Sequence, residues 1–362
     1  MYTFVITAWF TLLCTAIPAF ADWHPTVLSA IKWTAPDQGE QTIDYTEKTG
    51  ILRLPIKYYG GVDTDTDGTI DEQNIEVFTE WVQKHIPNGY SGPIGMDYEK
   101  PWWKELRQET ISESRLSEIM DVYIRGLQVA KRIRPNALWG YYGLPTRRNT
   151  SKNWIDQGLS LEPIISESQT LFPSIYDCSR GKDRTKEVQA QISTVLAQAQ
   201  GKVPVYVFVS PRYCNEDGDR SLFVPDEIFL RQANAAMRAI WIDEEGMQHR
   251  IRGLVLWDAY GYTPESEWSQ LDKTHKHYFE LLQALVEAWQ KAMVGKLVID
   301  EPEGYKQAQH GMPEPTNSGE TLEQNNSGNR VREHNASQNG IDPRNEGFNN
   351  RVPSGRVPSG RE

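Results

Sequence analysis

Positive charge is in deficit and cysteine is scarce. The 362 residues carry 38 Lys and Arg against 49 Asp and Glu, a formal net charge of −11. That balance excludes broad electrostatic capture of nucleic acid or anionic lipid as an expected activity. Three cysteines are too few for a cysteine-built metal centre or a disulfide-stapled miniature domain. Past the N-terminus there is no unbroken apolar run of about 20 residues, so no membrane insertion is expected. No glycine-rich phosphate loop follows any candidate strand, which disfavours a nucleotide-binding open sheet.

What is present begins with an export signature. Phe4 to Phe20 is apolar and uncharged, and Ala19-Phe20-Ala21 precedes Asp22 as a small-x-small cleavage pattern. Residues 1–21 are therefore expected to be a signal peptide, and the mature protein to be secreted or periplasmic. Twelve Trp and sixteen Tyr are a rich aromatic supply for an acidic exported protein, suited to sugar binding as well as to core packing. A monomer is expected.

Strand-like and helix-like stretches alternate along the chain. Candidate strands are Val27 to Trp33, Ile51 to Tyr59, the run ending at Met96, Ala137 to Tyr142, Thr170 to Tyr176, Val203 to Val209 and Gly253 to Trp257. Candidate helices are Glu72 to His85, Ser112 to Ile133, a stretch around Val188 to Leu196, Ile228 to Ile242 and Tyr278 to Met293. Strands too apolar to face water, separated by helices, predict an α/β fold with a parallel sheet. At this length a distorted (β/α) TIM-like barrel of about seven parallel strands, over residues 22–299, is favoured. From 300 to 362 the composition turns to Asn, Glu, Gly, Ser, Pro and Arg, ending in the repeat VPSGRVPSGR. This tail is expected to be disordered. Cys178 and Cys214 follow the fifth and sixth strands, neighbours in a barrel, so one disulfide between them is expected.

Two acidic stretches carry candidate chemistry. In PIGMDYEKPWW, Pro93 to Trp103, an apolar strand runs into Asp97 and Glu99, which share a face with Tyr98 opposed. Two carboxylates on one face raise one pKa and leave an acid beside an ionised partner, a division of labour suited to glycoside hydrolysis. A solvated strand end capping a helix is the competing reading. The loop DTDTDGTIDEQN, 63–74, offers Asp63, Asp65, Asp67, Thr69, Asp71 and Asn74 in calcium-loop spacing, with Gly68 for the turn. Asn74 stands where an EF-hand has glutamate, so either a modest structural Ca²⁺ site or a hydrated acidic loop fits.

On these residues the chain resembles the hyaluronidase family of glycoside hydrolases, the venom and sperm type, as a divergent member. The resemblance rests on IGMDYE at Ile94 to Glu99, RPNALWGYYGLP at Arg134 to Pro145, LFPSIY at Leu171 to Tyr176 and GLVLW at Gly253 to Trp257. It implies that Glu99 is the catalytic acid, and that Asp97 positions the substrate's acetamido group, whose carbonyl oxygen serves as nucleophile in a retaining reaction. It further implies that Tyr176 and Trp257 hold the acetamido sugar and that catalysis uses no cofactor. Apart from the resemblance, strand carboxyl ends share one face in a barrel, so Asp97, Glu99, Tyr141, Tyr142, Tyr176, Tyr213 and Trp257 are expected to line one cleft, with Tyr98 a further candidate for substrate binding. Tyr213 aligns only across a gap. The family's Trp between the two acids is Tyr98 here, its Glu-x-Trp-Arg-Pro continuation becomes Glu99-Lys100-Pro101-Trp102-Trp103, and its cysteine-rich C-terminal module is missing. The expectation is an exported endo-acting hydrolase of N-acetylhexosamine-containing polysaccharide, with hyaluronan or chondroitin first and chitin or peptidoglycan glycan behind. The alternative is a non-catalytic carbohydrate-binding protein on a decayed barrel.

Overall fold

The computed structural model describes residues 23–295 apart from 36, 179–181 and 215–221. The expected signal peptide and the tail from residue 300 lie outside these residues. The chain folds as an α/β protein whose principal strands are parallel. Thr26–Ser29 pairs with Leu52–Arg53 on one side and Gly253–Leu256 on the other. Gly253–Leu256 pairs in turn with Tyr206–Val209. Ile56–Lys57, which continues the run from Leu52, pairs with Pro93–Met96, and that strand with Leu138–Tyr141. Isolated parallel bridges at Tyr142↔Phe172, Leu171↔Val205 and Ser174↔Phe208 join the two groups through the 171–174 segment.

That segment is a regular strand in the sequence reading and only bridges in the structure. Pro173 has no N–H to offer, so the ladder is interrupted there. Gly140 faces it, where a Cβ would stand 2.2 Å from the Thr170 carbonyl oxygen. Only glycine permits the two backbones to come this close.

Successive strand residues alternate between two apolar clusters, as a pleat requires. Val27, Ile94, Val207 and Leu254 join the large cluster with the helices. Leu28, Phe208 and Val255 point the other way, into a small cluster completed by Ala30, Leu54 and Phe172. Tyr142, Tyr176 and Trp257 pack against this second cluster, Tyr142 and Trp257 just past Leu138–Tyr141 and Gly253–Leu256 and Tyr176 just past the bridged 171–174 segment. The strands thus aim these rings at a common end.

The helices cover the other face. Glu72–His85 starts at a capping box in which Asp71 accepts from the Asn74 N–H and Asn74 from the Asp71 N–H. It buries Phe78 and Val82 four residues apart. Glu113–Ile133 is capped by Ser112 and buries Leu116, Ile119, Tyr123, Leu127 and Ala130 on one stripe, ending ahead of Pro135. The helix expected over 228–242 spans Asp226–Arg238, and Trp241–Ile242 forms an antiparallel hairpin with Gln248–His249. The last helix begins at Trp268, well ahead of Tyr278. Glu40–Thr49 is a further helix, with Thr42 as its one buried residue. Among the described residues no helix is long and apolar enough to cross a membrane.

Candidate active site

Asp97 and Glu99 lie immediately past the strand Pro93–Met96. The Asp97 backbone is held on both sides, its N–H donating to the Lys57 carbonyl and its carbonyl accepting from Gly60. Trp103 N–H donates to the Glu99 carbonyl, which folds the chain back after Pro101. The Asp97 side chain is partly buried and Glu99 is exposed. Burial first, and then the neighbouring charge of Glu99, push the Asp97 carboxyl up to about 7, against a smaller lowering by Lys32. The acid pair therefore retains a proton where two isolated carboxyls would have lost both.

Aromatic rings gather around this pair. Tyr176 stacks on Trp257 with centroids 5.7 Å apart and planes 18° apart. Tyr142 stacks on Trp103 at 6.2 Å and meets Tyr176 at a tilt. Burial, followed by the Glu99 charge, holds the Tyr142 phenol far above its ordinary range. The Tyr176 hydroxyl is buried beside the Tyr142 phenol, which it meets without a well-formed hydrogen bond. A phenol out of water without an acceptor is costly, so an acceptor brought by a ligand would relieve it. Behind Trp257, Arg212 Nε donates to buried Asp258 at 2.8 Å, and His275 Nε2 lies 2.8 Å from the same carboxylate. This buried trio anchors the segment that presents Trp257.

Two residues missed by sequence reasoning belong here. Lys32 Nζ donates to the Tyr59 hydroxyl at 2.9 Å and sits 4.4 Å from the Tyr58 ring centroid. The Tyr58 phenol is pushed far up, by burial first and then by the Asp97 charge, while a hydrogen bond with Trp257 works against this. Their signal was position, since Lys32 and Tyr58 follow the first two strands as Asp97 follows the third.

One expectation is corrected, and two further sets of residues are placed. Tyr98 does not face the cleft: it is 3% exposed, packs on Tyr123 and Tyr141, and donates its hydroxyl to Asp63 at 2.6 Å. The alternation that puts Asp97 and Glu99 on one side necessarily puts Tyr98 on the other. Tyr213 is buried beside the core residue Tyr278, whose phenol its charge helps to raise. In the acidic loop, the side chains of Asp71 and Asn74 are occupied by the helix cap, and Thr69 donates its N–H to Asp67. Only Asp63, Asp65 and Asp67 bring carboxylate oxygens together, within 4.8 Å of one another.

Cys178 and Cys214 form a disulfide with Cα atoms 4.5 Å apart, within the range such bonds allow. Asn149, the start of an N-x-Ser sequon, is 1% exposed and bonded to Thr146 and Leu106.

No family model matches the sequence. Among curated proteins, hyaluronidase-1 of Mus musculus is 28% identical over 134 residues, covering 32% of this chain and 29% of that protein. A hyaluronidase of Polybia paulista is also 28% identical, over 155 residues, 39% of this chain and 52% of the relative. The chain resembles hyaluronidases as a divergent relative. It matches about half or less of the length of these curated relatives. Among solved structures, bee venom hyaluronidase aligns over 68% of this chain and 99% of its own, at 17% identity and a TM-score of 0.47.

Proposed function

We propose that the protein is an exported, endo-acting glycoside hydrolase built on a distorted seven-stranded (β/α) barrel, and that it cleaves polysaccharides containing N-acetylhexosamine. The observation that carries this reading is the Asp97 and Glu99 pair. It stands at a strand's carboxyl end beside stacked aromatic rings, with Asp97 raised to about 7 by burial and by Glu99. In a barrel, strand carboxyl ends share one face, and that face carries the chemistry.

The pair holds one proton, which rests on Asp97, and Glu99, the more exposed of the two, takes it over and delivers it to the leaving glycosidic oxygen. Asp97 turns the substrate's acetamido group toward the anomeric carbon. The acetamido carbonyl oxygen attacks, forming an oxazolinium that water opens with retention. No protein carboxylate is then needed as nucleophile, and this is one of the recognised exceptions to the two-carboxylate scheme. Tyr176 donates its buried hydroxyl to the acetamido oxygen, and the indole of Trp257 walls the methyl pocket. Lys32 supplies a cation next to the pair, which favours a polymer with uronate carboxylates, hyaluronan or chondroitin, over neutral chitin.

The experiment is release of reducing ends from purified hyaluronan, chondroitin and chitin, with the Glu99→Gln protein as control. Cleavage of the first two, abolished by the substitution, is the expected result. Binding to these polymers without any cleavage by the native protein would replace the enzyme reading with that of a carbohydrate-binding protein.

A further inference from the structure

The loop that follows Gly61 is not used by the proposed chemistry, yet it lies directly behind the acidic strand. Asp63 is 0% exposed. Its Oδ2 accepts two hydrogen bonds, from the Tyr98 hydroxyl at 2.6 Å and the Gly68 N–H at 2.9 Å. Its Oδ1 is buried and has no donor at all. What faces Asp63 is Asp65, a second carboxylate and a second acceptor. Among the described residues no Lys or Arg forms an ion pair with Asp63, Asp65 or Asp67. A buried carboxylate oxygen with no protein donor, gathered with two other carboxylates, is an acceptor that a bound cation satisfies.

Geometry limits which cation. One carboxylate oxygen from each of the three aspartates lies within 4.8 Å of the others. Oxygens bound to one Ca²⁺ ion stand about 2.3 to 2.6 Å from it, hence at most about 5 Å apart. The donors are hard oxygens without nitrogen or sulfur, which suits calcium and not zinc or copper. Mg²⁺ demands a near-ideal octahedron and retains its waters, which an open loop with two exposed aspartates does not impose.

We propose that Asp63, Asp65 and Asp67 bind one Ca²⁺ ion, and that the ion fixes Tyr98 and thereby the backbone that carries Asp97 and Glu99. The link is continuous. Asp63 holds the Tyr98 hydroxyl, which also accepts from Trp102 Nε1 at 2.9 Å, and Tyr123 donates to the Tyr98 carbonyl at 2.7 Å. Trp102 packs on Gly68 of the same loop, where a Cβ would stand 2.5 Å from its ring. Asn74 Nδ2 donates to Asp65 at 3.2 Å and so ties the loop to the first turn of the helix Glu72–His85. With calcium bound, the three carboxylates are drawn together and Asp63 is held against the Tyr98 hydroxyl. Without it, they repel one another across the loop, and the tyrosine's anchor loosens. Tyr98 is in this sense a positioning residue.

Calcium binding is read without substrate, so its failure is separable from failure of the hydrolase reading. The full chain is stripped with chelator and titrated with CaCl₂ by calorimetry, with melting followed in parallel. The expected dissociation constant is about 10⁻⁴ to 10⁻³ M, as for extracellular modules, with a rise in melting temperature that Mg²⁺ does not reproduce. Asp65→Asn and Asp67→Asn, both at exposed side chains, should each weaken calcium binding about tenfold or more while leaving the metal-free melting temperature unchanged or raised. Tyr98→Phe should still bind calcium. If the native protein cleaves polysaccharide, its kcat should fall on calcium removal with KM little changed, and Tyr98→Phe should lose most of that calcium dependence. Absence of heat and of any melting shift up to about 10 mM calcium, ten times the weakest expected constant, would overturn the site. Native affinity in both aspartate variants would overturn it equally.

Discussion

Tyr176 lies flat on Trp257, 5.7 Å between centroids, with its hydroxyl buried beside the Tyr142 phenol and in no well-formed hydrogen bond to it. Stacking fixes the ring, so the hydroxyl cannot swing away to find water, and its hydrogen-bonding capacity is reserved for what enters the cleft. Tyr176→Phe removes that donor without disturbing the stack. Thermal stability should be unchanged or slightly higher, because an orphaned polar group is lost. Cleavage of acetylated polymer should slow, with most of the loss in kcat, since a contact to the acetamido oxygen strengthens as the oxazolinium forms. A loss confined to KM would assign Tyr176 to binding alone.

Glu99→Gln should fold and melt like the native protein, since the side chain is exposed. Hydrolysis should fall by about 10² to 10⁴-fold, the usual contribution of a general acid. Polysaccharide affinity, measured by calorimetry on the inactive variant, should survive. Near-native turnover in this variant would remove Glu99 from the acid's role.

The Cys178–Cys214 bond closes a loop with a sequence separation of 36 residues, and the chain-entropy account values such a closure at about 4 kcal/mol. Cys214→Ser should therefore lower the melting temperature markedly. Thiol titration of the native protein under non-reducing conditions should find both residues blocked. Two reactive thiols would show the bond absent.

Much of this arrangement was legible in the sequence because its elements are strongly patterned. Parallel strands read as short apolar runs, and the helix Glu72–His85 declares itself through its cap and its Phe78 and Val82 stripe. Alternation along a strand placed Asp97 and Glu99 on one side without further information. The same rule condemned Tyr98 to the interior, and treating it as a candidate for substrate binding set that geometry aside. What stayed hidden was tertiary. Nothing local indicates that the Asp63 loop returns to hold Tyr98, a pairing 35 residues apart. Nor does the sequence tell that Lys32 stands near enough to lower Asp97. The helix Glu40–Thr49 escaped because a segment that buries little lacks the apolar period by which helices are read.

The last expectation follows from Asp97, whose carboxyl is raised from 3.8 to about 7 in the folded protein. In the unfolded chain this group loses its proton near pH 4, while the folded protein retains it to about 7, so across that window the folded state binds the extra proton. Stability must then fall as pH rises from about 4 to 7, and stay at the lower level above. At about 1.4 kcal/mol per unit the shift sets an upper bound near 4 kcal/mol, which the partial exposure of Asp97 reduces. Asp97→Asn removes the penalty. It should melt above the native protein at about pH 8 and together with it at about pH 4, where both carry a neutral group. Activity should follow the same proton. The pair needs one proton for acid catalysis, so the native rate should fall as pH rises through about 7, and the Asn variant, besides being slow, should show that limb displaced. A native melting temperature that climbs from pH 4 to 7, with no gain from Asp97→Asn at pH 8, would mean that Glu99 and burial do not act on Asp97 as its position dictates.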